Sequence, residues 1–477
     1  MNRVNGPYDA IIIGAGMSGL AAGIRLAMFD KKVVILEKHS IPGGLNSYYQ
    51  RRNFDSAAGG PGIRQFDVGL HALTNYIKKG EKGKPFSKLL KQLRLSYDDF
   101  KLCPQTHSKI SFPGMELKFS NDFELLQTEV FEKFPSQIDA FNTLVEKVRN
   151  FNELDLSLNY TSSRSALKEI ISDELLVEML LCPLLIYGSA WEEDMDFAQF
   201  VIMFKSLYFE GFSRPEGGVR TIISLLMKKL EEAGGEIRFK TPVSEILTQN
   251  GKVIGVSALG EELLAPVVLS SIGFPETVKL TSALQTLSAP RVGAMTFLES
   301  IFIFDKKIPV SQNASTIVFY NNSQKYHYKP AKNFFDPSSA VVCFPDNYET
   351  HKTEGEGTIR ITYMANYSQF SVLGRDEYAA KKEEVSTSAE ALVKKLVPGF
   401  GGKLIFKDIF SPMTIERYTW HLNGTVYGSI DKTRDGSTKI PGLFIIGTDQ
   451  GFLGIVGSIL SGISMANLHG LMAEGGT

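Results

Sequence analysis

The feature that most constrains this chain is a βαβ pattern at its amino terminus. Tyr8-Asp9-Ala10-Ile11-Ile12-Ile13 is an apolar run that reads as a buried strand, and it passes directly into Gly14-Ala15-Gly16-Met17-Ser18-Gly19. The stretch Leu20–Met28 then reads as a helix, and Val33-Val34-Ile35-Leu36 as a second strand ending in Glu37. A strand, a G-x-G-x-x-G turn, a helix and an acid-tipped strand form the dinucleotide-binding fingerprint of a parallel sheet. Gly14 permits the tight turn, Gly16 lets backbone approach a pyrophosphate, and Gly19 lets the helix pack on the strand. The pyrophosphate is expected on the helix N-terminus, where free N–H groups and the dipole favour negative charge. Glu37 stands at the distance that suits a ribose hydroxyl. Gly14, Gly16, Ser18, Gly19 and Glu37 are therefore candidate cofactor-binding residues.

The fingerprint alone leaves FAD and NAD open. Pro42-Gly43-Gly44-Leu45-Asn46-Ser47 adds a glycine pair just past the second strand, where an NAD domain would continue into its next helix. An acid, five residues and Gly-Gly resembles the second signature of FAD-dependent oxidoreductases of the amine-oxidase and phytoene-desaturase superfamily. The resemblance implies FAD, with Lys38, Gly43, Gly44, Leu45 and Asn46 added to the cofactor-binding set.

A chain of 477 residues is too long for one ordinary core and predicts two or three domains. Lys plus Arg, 51, nearly balances Asp plus Glu, 52, so nucleic acid is not an expected partner. Cys103, Cys182 and Cys343 are widely spaced and form no metal pattern, which fits a reducing compartment. With the first strand beginning near residue 8, no signal peptide is expected, and a cytoplasmic location follows. Two apolar stretches invite comparison with membrane spans. Met179–Tyr187 is short and holds Pro183, whereas Gln450–Ala473 is uncharged but punctuated by glycine and serine, which favours a loop and a core helix. Attachment to a membrane surface stays open.

Two later segments look like further parts of the cofactor domain. Pro215-Glu216-Gly217-Gly218 leads into an amphipathic helix, Thr221–Leu230, and then a strand, Glu236–Lys240. Val243–Ile246, Val253–Val256 and Val267–Ser271 follow and predict a meander, with turns at Asn250-Gly251 and Gly260. Near the end, Leu443–Gly447 reads as a buried strand, followed by Asp449, Gly454-Ile455-Val456-Gly457 and a helix through Ser461–Leu468. The predicted fold is α/β. A Rossmann-like FAD-binding domain of amine-oxidase type is expected from residues 1–77, 213–277 and 409–477, and an α+β substrate-binding domain from 78–212 and 278–408. The 32 Phe and 17 Tyr suit a long apolar cavity as well as ordinary core packing.

With these pieces in view, the chain resembles the phytoene desaturase, carotenoid isomerase and retinol saturase group. Five places carry the resemblance: Gly14–Gly23, Glu37–Ser47, Phe66–His71, Pro215–Gly218, and the tail from Ser411-Pro412-Met413-Thr414 through Gly447-Thr448-Asp449 and Gly454–Gly457. Thr448-Asp449-Gln450-Gly451 stands where bacterial phytoene desaturases usually carry Thr-His-Pro-Gly, a departure from simple phytoene desaturation. The resemblance places the adenine against backbone at Val243. It adds Gly447, Asp449, Gly454, Ile455 and Val456 to the cofactor set, with Asp449 accepting a hydrogen bond from the ribityl or phosphate region. It also implies hydride transfer at flavin N5 on a lipophilic polyene substrate, by saturation, desaturation or isomerisation, with the electron partner unassigned. His71, Glu416 and Tyr418 are the catalytic candidates, since an ordinary histidine titrates near pH 6.5 and can move protons at neutral pH. Arg417 and His421 are weighed beside them as cavity residues. Two other classes stay open: an amine oxidase, against which the tail shows neither aromatic pair nor flavin-linking cysteine, and a non-enzymatic lipid-binding protein on the same scaffold.

Overall fold

Five short strands pair in parallel, and this pairing organises the molecule; the three inner ones are made almost wholly of Val, Ile, Leu and Ala. In chain order they are β1 (Ala10–Ile13), β2 (Val33–Leu36), β3 (Glu236–Arg238), β4 (Val267–Ser270) and β5 (Leu443–Ile445), and their order across the sheet is β3-β2-β1-β4-β5. The register sets Ala10 beside both Val33 and Val267, and Leu269 beside Phe444. Such unbroken apolar runs are what a sheet buried on both faces requires. The computed structural model describes residues 7–52, 62–69, 71–281, 290–349 and 355–472. Leu70 and the chain ends within the predicted domain spans lie outside the described residues.

Helix α1 (Met17–Ala27) connects β1 to β2, and it is buried on nearly every side. It packs between the sheet, α2 (Val219–Glu232) and the C-terminal α3 (Gly454–Met465). The close approach depends on glycine. A Cβ at Gly19 would collide with the Gly14 carbonyl, and one at Gly462 with the Ser18 carbonyl. The stretch Gly454–Leu471 is long and apolar enough to cross a membrane, yet it is seated here on α1.

One predicted connection differs. Val267–Ser270 does not extend the meander, whose third strand is Glu261–Leu264; it joins the parallel sheet beside β1. Its unbroken Val-Val-Leu run, rather than an alternating one, marks the doubly buried strand.

A second, seven-stranded sheet carries Phe297–Phe304 and Gly357–Met364 near one edge and Ser108–Phe112 with Met115–Phe119 at the other. Its two faces alternate residue by residue along Ser339–Cys343. Val341 and Cys343 face helices Glu174–Gly188 and Phe197–Phe204, whereas Ala340 and Val342 face helix Arg375–Leu396. The edge strand Leu404–Phe410 pairs along Phe297–Phe304, so the expected boundary at residue 409 falls inside this sheet. Many of the aromatic residues fill the core between the sheet and the apolar helices: Tyr208 has ring contacts at 5.1 Å to Phe119 and 5.0 Å to Phe204.

Gly462→Val should push α3 off α1. Overpacking of this kind costs about 1–3 kcal/mol, so the melting temperature should fall by several degrees and cofactor retention with it. A thermal scan of the purified variant measures both.

Candidate cofactor and active site

Each of the five parallel strands ends at one edge of the sheet, and the segments leaving that edge enclose a cavity of about 810 Å³. This lies at the upper end of the range for small-molecule sites, about 300–1,000 Å³. From the turn after β1 come Gly14, Gly16 and Ser18, and after β2 come Glu37, Lys38 and Gly43 to Asn46. Val243 follows β3, Ser271 and Ile272 follow β4, and Thr448 follows β5.

Local geometry explains the glycine turn. Gly14 has φ +92°, and a Cβ there would sit 2.6 Å from Ser271 Oγ. At Gly16 a Cβ would meet nothing within 4 Å, because that position faces the cavity. Gly16 also caps α1 in extended conformation without a side-chain cap, and the first turn holds no acid. The free N–H groups of that turn are thus left for an anion. Glu37 is buried, and its carboxylate accepts from the backbone N–H of Ala15 and of His39, each at 2.8 Å. Two of roughly four acceptor positions on a carboxylate remain for ribose hydroxyls. These features fit an adenine dinucleotide.

Other predicted residues sit elsewhere. Gly19 packs under the turn and does not line the cavity. Gly447 lies against Ser18, with its N–H donating to Ser461 Oγ at 2.7 Å. Gly454 sits beside Thr74, and Ile455 and Val456 are buried in the core; Ser458 is the residue α3 turns to the cavity. Asp449 is 1% exposed and does not line the cavity. It accepts instead from the N–H of Phe274 at 2.7 Å, the N–H of Ser429 at 2.8 Å and Lys432 Nζ at 3.0 Å. Its carboxylate ties the C-terminal turn to two other loops.

The three catalytic candidates do not converge. Tyr418 lines the cavity at its Glu37 end, half exposed, with its ring 5.5 Å from His39 and beside Trp420. Glu416 points away and accepts from Tyr367 Oη at 2.6 Å. His71 is outside the lining, and its Nε2 lies 2.9 Å from Glu299 and 3.0 Å from Thr362 Oγ1. His421 does line the cavity, whereas Arg417 does not. The His421 Nδ1 pairs with the Thr425 carbonyl at 2.9 Å, which puts the proton on that nitrogen. Sequence reasoning passed over Ser271, Ile272, Thr448, Ser458 and Trp420. For Ser271, Ile272 and Thr448 a signal existed, since each follows an apolar strand as Glu37 does; for Ser458 and Trp420 none did.

His71 belongs to a buried chain of charges. Arg360 donates to both Glu299 oxygens, at 2.6 and 2.7 Å, and to the Asp67 carbonyl at 3.1 Å, while Arg214 pairs with the Asp67 carboxylate at 2.7 Å. A Cβ at Gly218 would collide with that carboxylate, so Phe66–His71 and Pro215–Gly218 meet here. Burial alone would raise the Glu299 pKa, but Arg360 and then His71 outweigh it and hold the group at about 2.

The family model described as flavin containing amine oxidoreductase matches residues 17–468. The chain belongs to that family. Like other flavin containing amine oxidoreductases it is an FAD-dependent oxidoreductase, and the glycine turn and Glu37 fit the adenine end of that cofactor. Among relatives, it is 26% identical to the chloroplastic prolycopene isomerase of Arabidopsis thaliana, over 96% of this chain and 82% of that protein. It is 23% identical to the all-trans-retinol 13,14-reductase of Danio rerio, over 98% and 86%. The fold is also that of cyclohexylamine oxidase from Brevibacterium oxydans, with a TM-score of 0.65 at 13% identity, covering 98% of this chain and all of the other.

Two outcomes test the site. Gly16→Val places a side chain in open cavity rather than in the core. It should leave the circular dichroism spectrum unchanged and abolish flavin absorbance; stoichiometric FAD in the variant would contradict the assignment. The second concerns Glu299, whose pKa is depressed from the ordinary 4.5. A depressed acid contributes stability above its unfolded pKa and loses it as pH falls towards the folded value. Urea unfolding should therefore show stability falling from about pH 5 towards pH 2. Arg360→Met alone should cost about 3–5 kcal/mol by leaving Glu299 buried without its main partner. Glu299→Met combined with Arg360→Met should cost less and flatten that acid limb.

Proposed function

We propose that this flavoenzyme acts on carbon–carbon double bonds of a lipophilic polyene, of carotenoid or retinoid type. The observation that carries the reading is likeness along nearly the whole chain to relatives named for such substrates, an isomerase and a reductase alike. Bound FAD supplies hydride exchange at flavin N5, so the protein's task is to bind, orient and exclude water.

The lining agrees with that task. Away from the glycine turn it includes Leu45, Tyr48, Tyr49, Val68, Phe410 and Ile415. Among the described residues its sole acid is Glu37, which already accepts two backbone N–H bonds. A protonated amine would find no carboxylate free to neutralise it, which weighs against C–N oxidation. Among the described residues no cysteine lines the cavity, and Cys103, Cys182 and Cys343 are all buried elsewhere. His71 and Glu416 are engaged in structure, so the groups that line the cavity and can exchange a proton are His39, Tyr418 and His421, beside water. The expected location is cytoplasmic or at a membrane surface.

The test is anaerobic reconstitution with FAD, oxidised or reduced, offered polyenes, retinoids and amines. Product mass decides: loss of two hydrogens, gain of two, or an isomer of equal mass each supports polyene chemistry. Turnover of amines alone would overturn it.

A further inference from the structure

The apolar walls of the cofactor cavity fall into two groups. Leu45, Tyr49, Phe410 and Ile415 belong to one apolar cluster, whereas Leu36, Val243, Leu280 and Trp420 belong to another. Glu37 directly follows Leu36, and its backbone carbonyl accepts from the Thr241 N–H at 2.8 Å, two residues before Val243. The carboxylate that suits a ribose hydroxyl therefore stands at the second group.

Among the described residues, Trp420 is the aromatic side chain of that group that lines the cavity. It ends the helix Pro412–Thr419 at φ +66°, with its N–H donating to the Glu416 carbonyl at 2.7 Å. This left-handed conformation usually falls to glycine or asparagine, and a bulky residue takes it at a cost. A tryptophan kept there points to a task for its ring. Lys38, another cavity residue, stands over the indole with Nζ 5.4 Å from the ring centre. That side chain is exposed, so the ring face it covers can pass to a ligand.

We propose that Trp420 is the aromatic platform for the adenine of FAD. The glycine turn takes the pyrophosphate and Glu37 the ribose, so the base beyond the ribose meets Val243 and Trp420, and Lys38 leaves the ring face. A planar base gains from stacking on an indole whatever its hydrogen-bonding edge. The inference concerns the cofactor alone and does not depend on which substrate is turned over.

The chain has two tryptophans, and Trp191 lines a second pocket beside Gln450. The full-length chain freed of flavin, with its fold checked by circular dichroism, is titrated with ADP and with inorganic pyrophosphate. In Trp191→Phe, where Trp420 supplies the indole emission, ADP should quench that emission and pyrophosphate should not. By calorimetry, Trp420→Leu should bind ADP about tenfold more weakly, the worth of one stacked base, and pyrophosphate within about twofold of the unmodified protein. Trp420→Phe should recover most of the loss. The loaded protein supplies a measurement without stripping, since Trp420→Leu should lose FAD on dilution about tenfold faster. Unchanged ADP affinity or unchanged FAD loss in Trp420→Leu would overturn the proposal. So would a Phe variant no better than Leu, or equal weakening of ADP and pyrophosphate, which marks a ring that only supports the fold.

Discussion

Parallel pairing of five strands is the constraint from which the site follows. A parallel sheet aligns the carboxyl ends of its strands along one edge, and each strand then releases its chain at the same place. Here the segments after β1, β2, β3, β4 and β5 all reach one cavity, although they come from widely separated parts of the sequence. No single segment makes the site. Gly16 offers space, Glu37 offers acceptors, and Ser271 and Thr448 close the far walls because the sheet brings them there. The short connection β1–α1–β2 sets the geometry, since Gly14 can neither straighten nor take a side chain against Ser271.

The second sheet is joined to this arrangement through charge as well as apolar packing. Asp67, Arg214, Arg360, Glu299 and His71 form a continuous buried chain between the strand Ile63–Asp67 and the seven-stranded sheet. Buried ion pairs contribute little net stability over apolar replacements, yet losing one partner is costly. Such a chain acts chiefly on register: Phe66–Val68, which borders the cavity through Val68, has few alternative positions while Arg360 holds the Asp67 carbonyl. His71 is best understood as a member of this chain.

Most of the glycine turn and the elements that flank it was legible in the sequence because it is local. The apolar run of Ala10–Ile13, the glycine spacing and the acid at Glu37 all lie within one βαβ unit, where strand, turn and helix follow directly from residue type. Legibility fails where a residue's partner is distant in sequence. Asp449 sits close to the cofactor cavity, but its carboxylate answers to Phe274 and Ser429, which no local pattern connects to it. Val267–Ser270 departs from its local pattern for a related reason: hairpin turns on its N-terminal side predict a meander, while its pairing with β1 is decided by burial on both faces. Glu416 and Tyr418 are neighbours in sequence, but their helix turns one to Tyr367 and the other to the cavity.

These distant ties bear on chemistry through the C-terminal turn. Three donors converge on Asp449, one of them the Lys432 ammonium, and Gly447 is held on Ser461. A turn anchored at both its first and third residues has little freedom, so its second and fourth, Thr448 and Gln450, are fixed to opposite sides. That arrangement suits an enzyme whose reactive group belongs to its cofactor and whose own contribution is to fix distance.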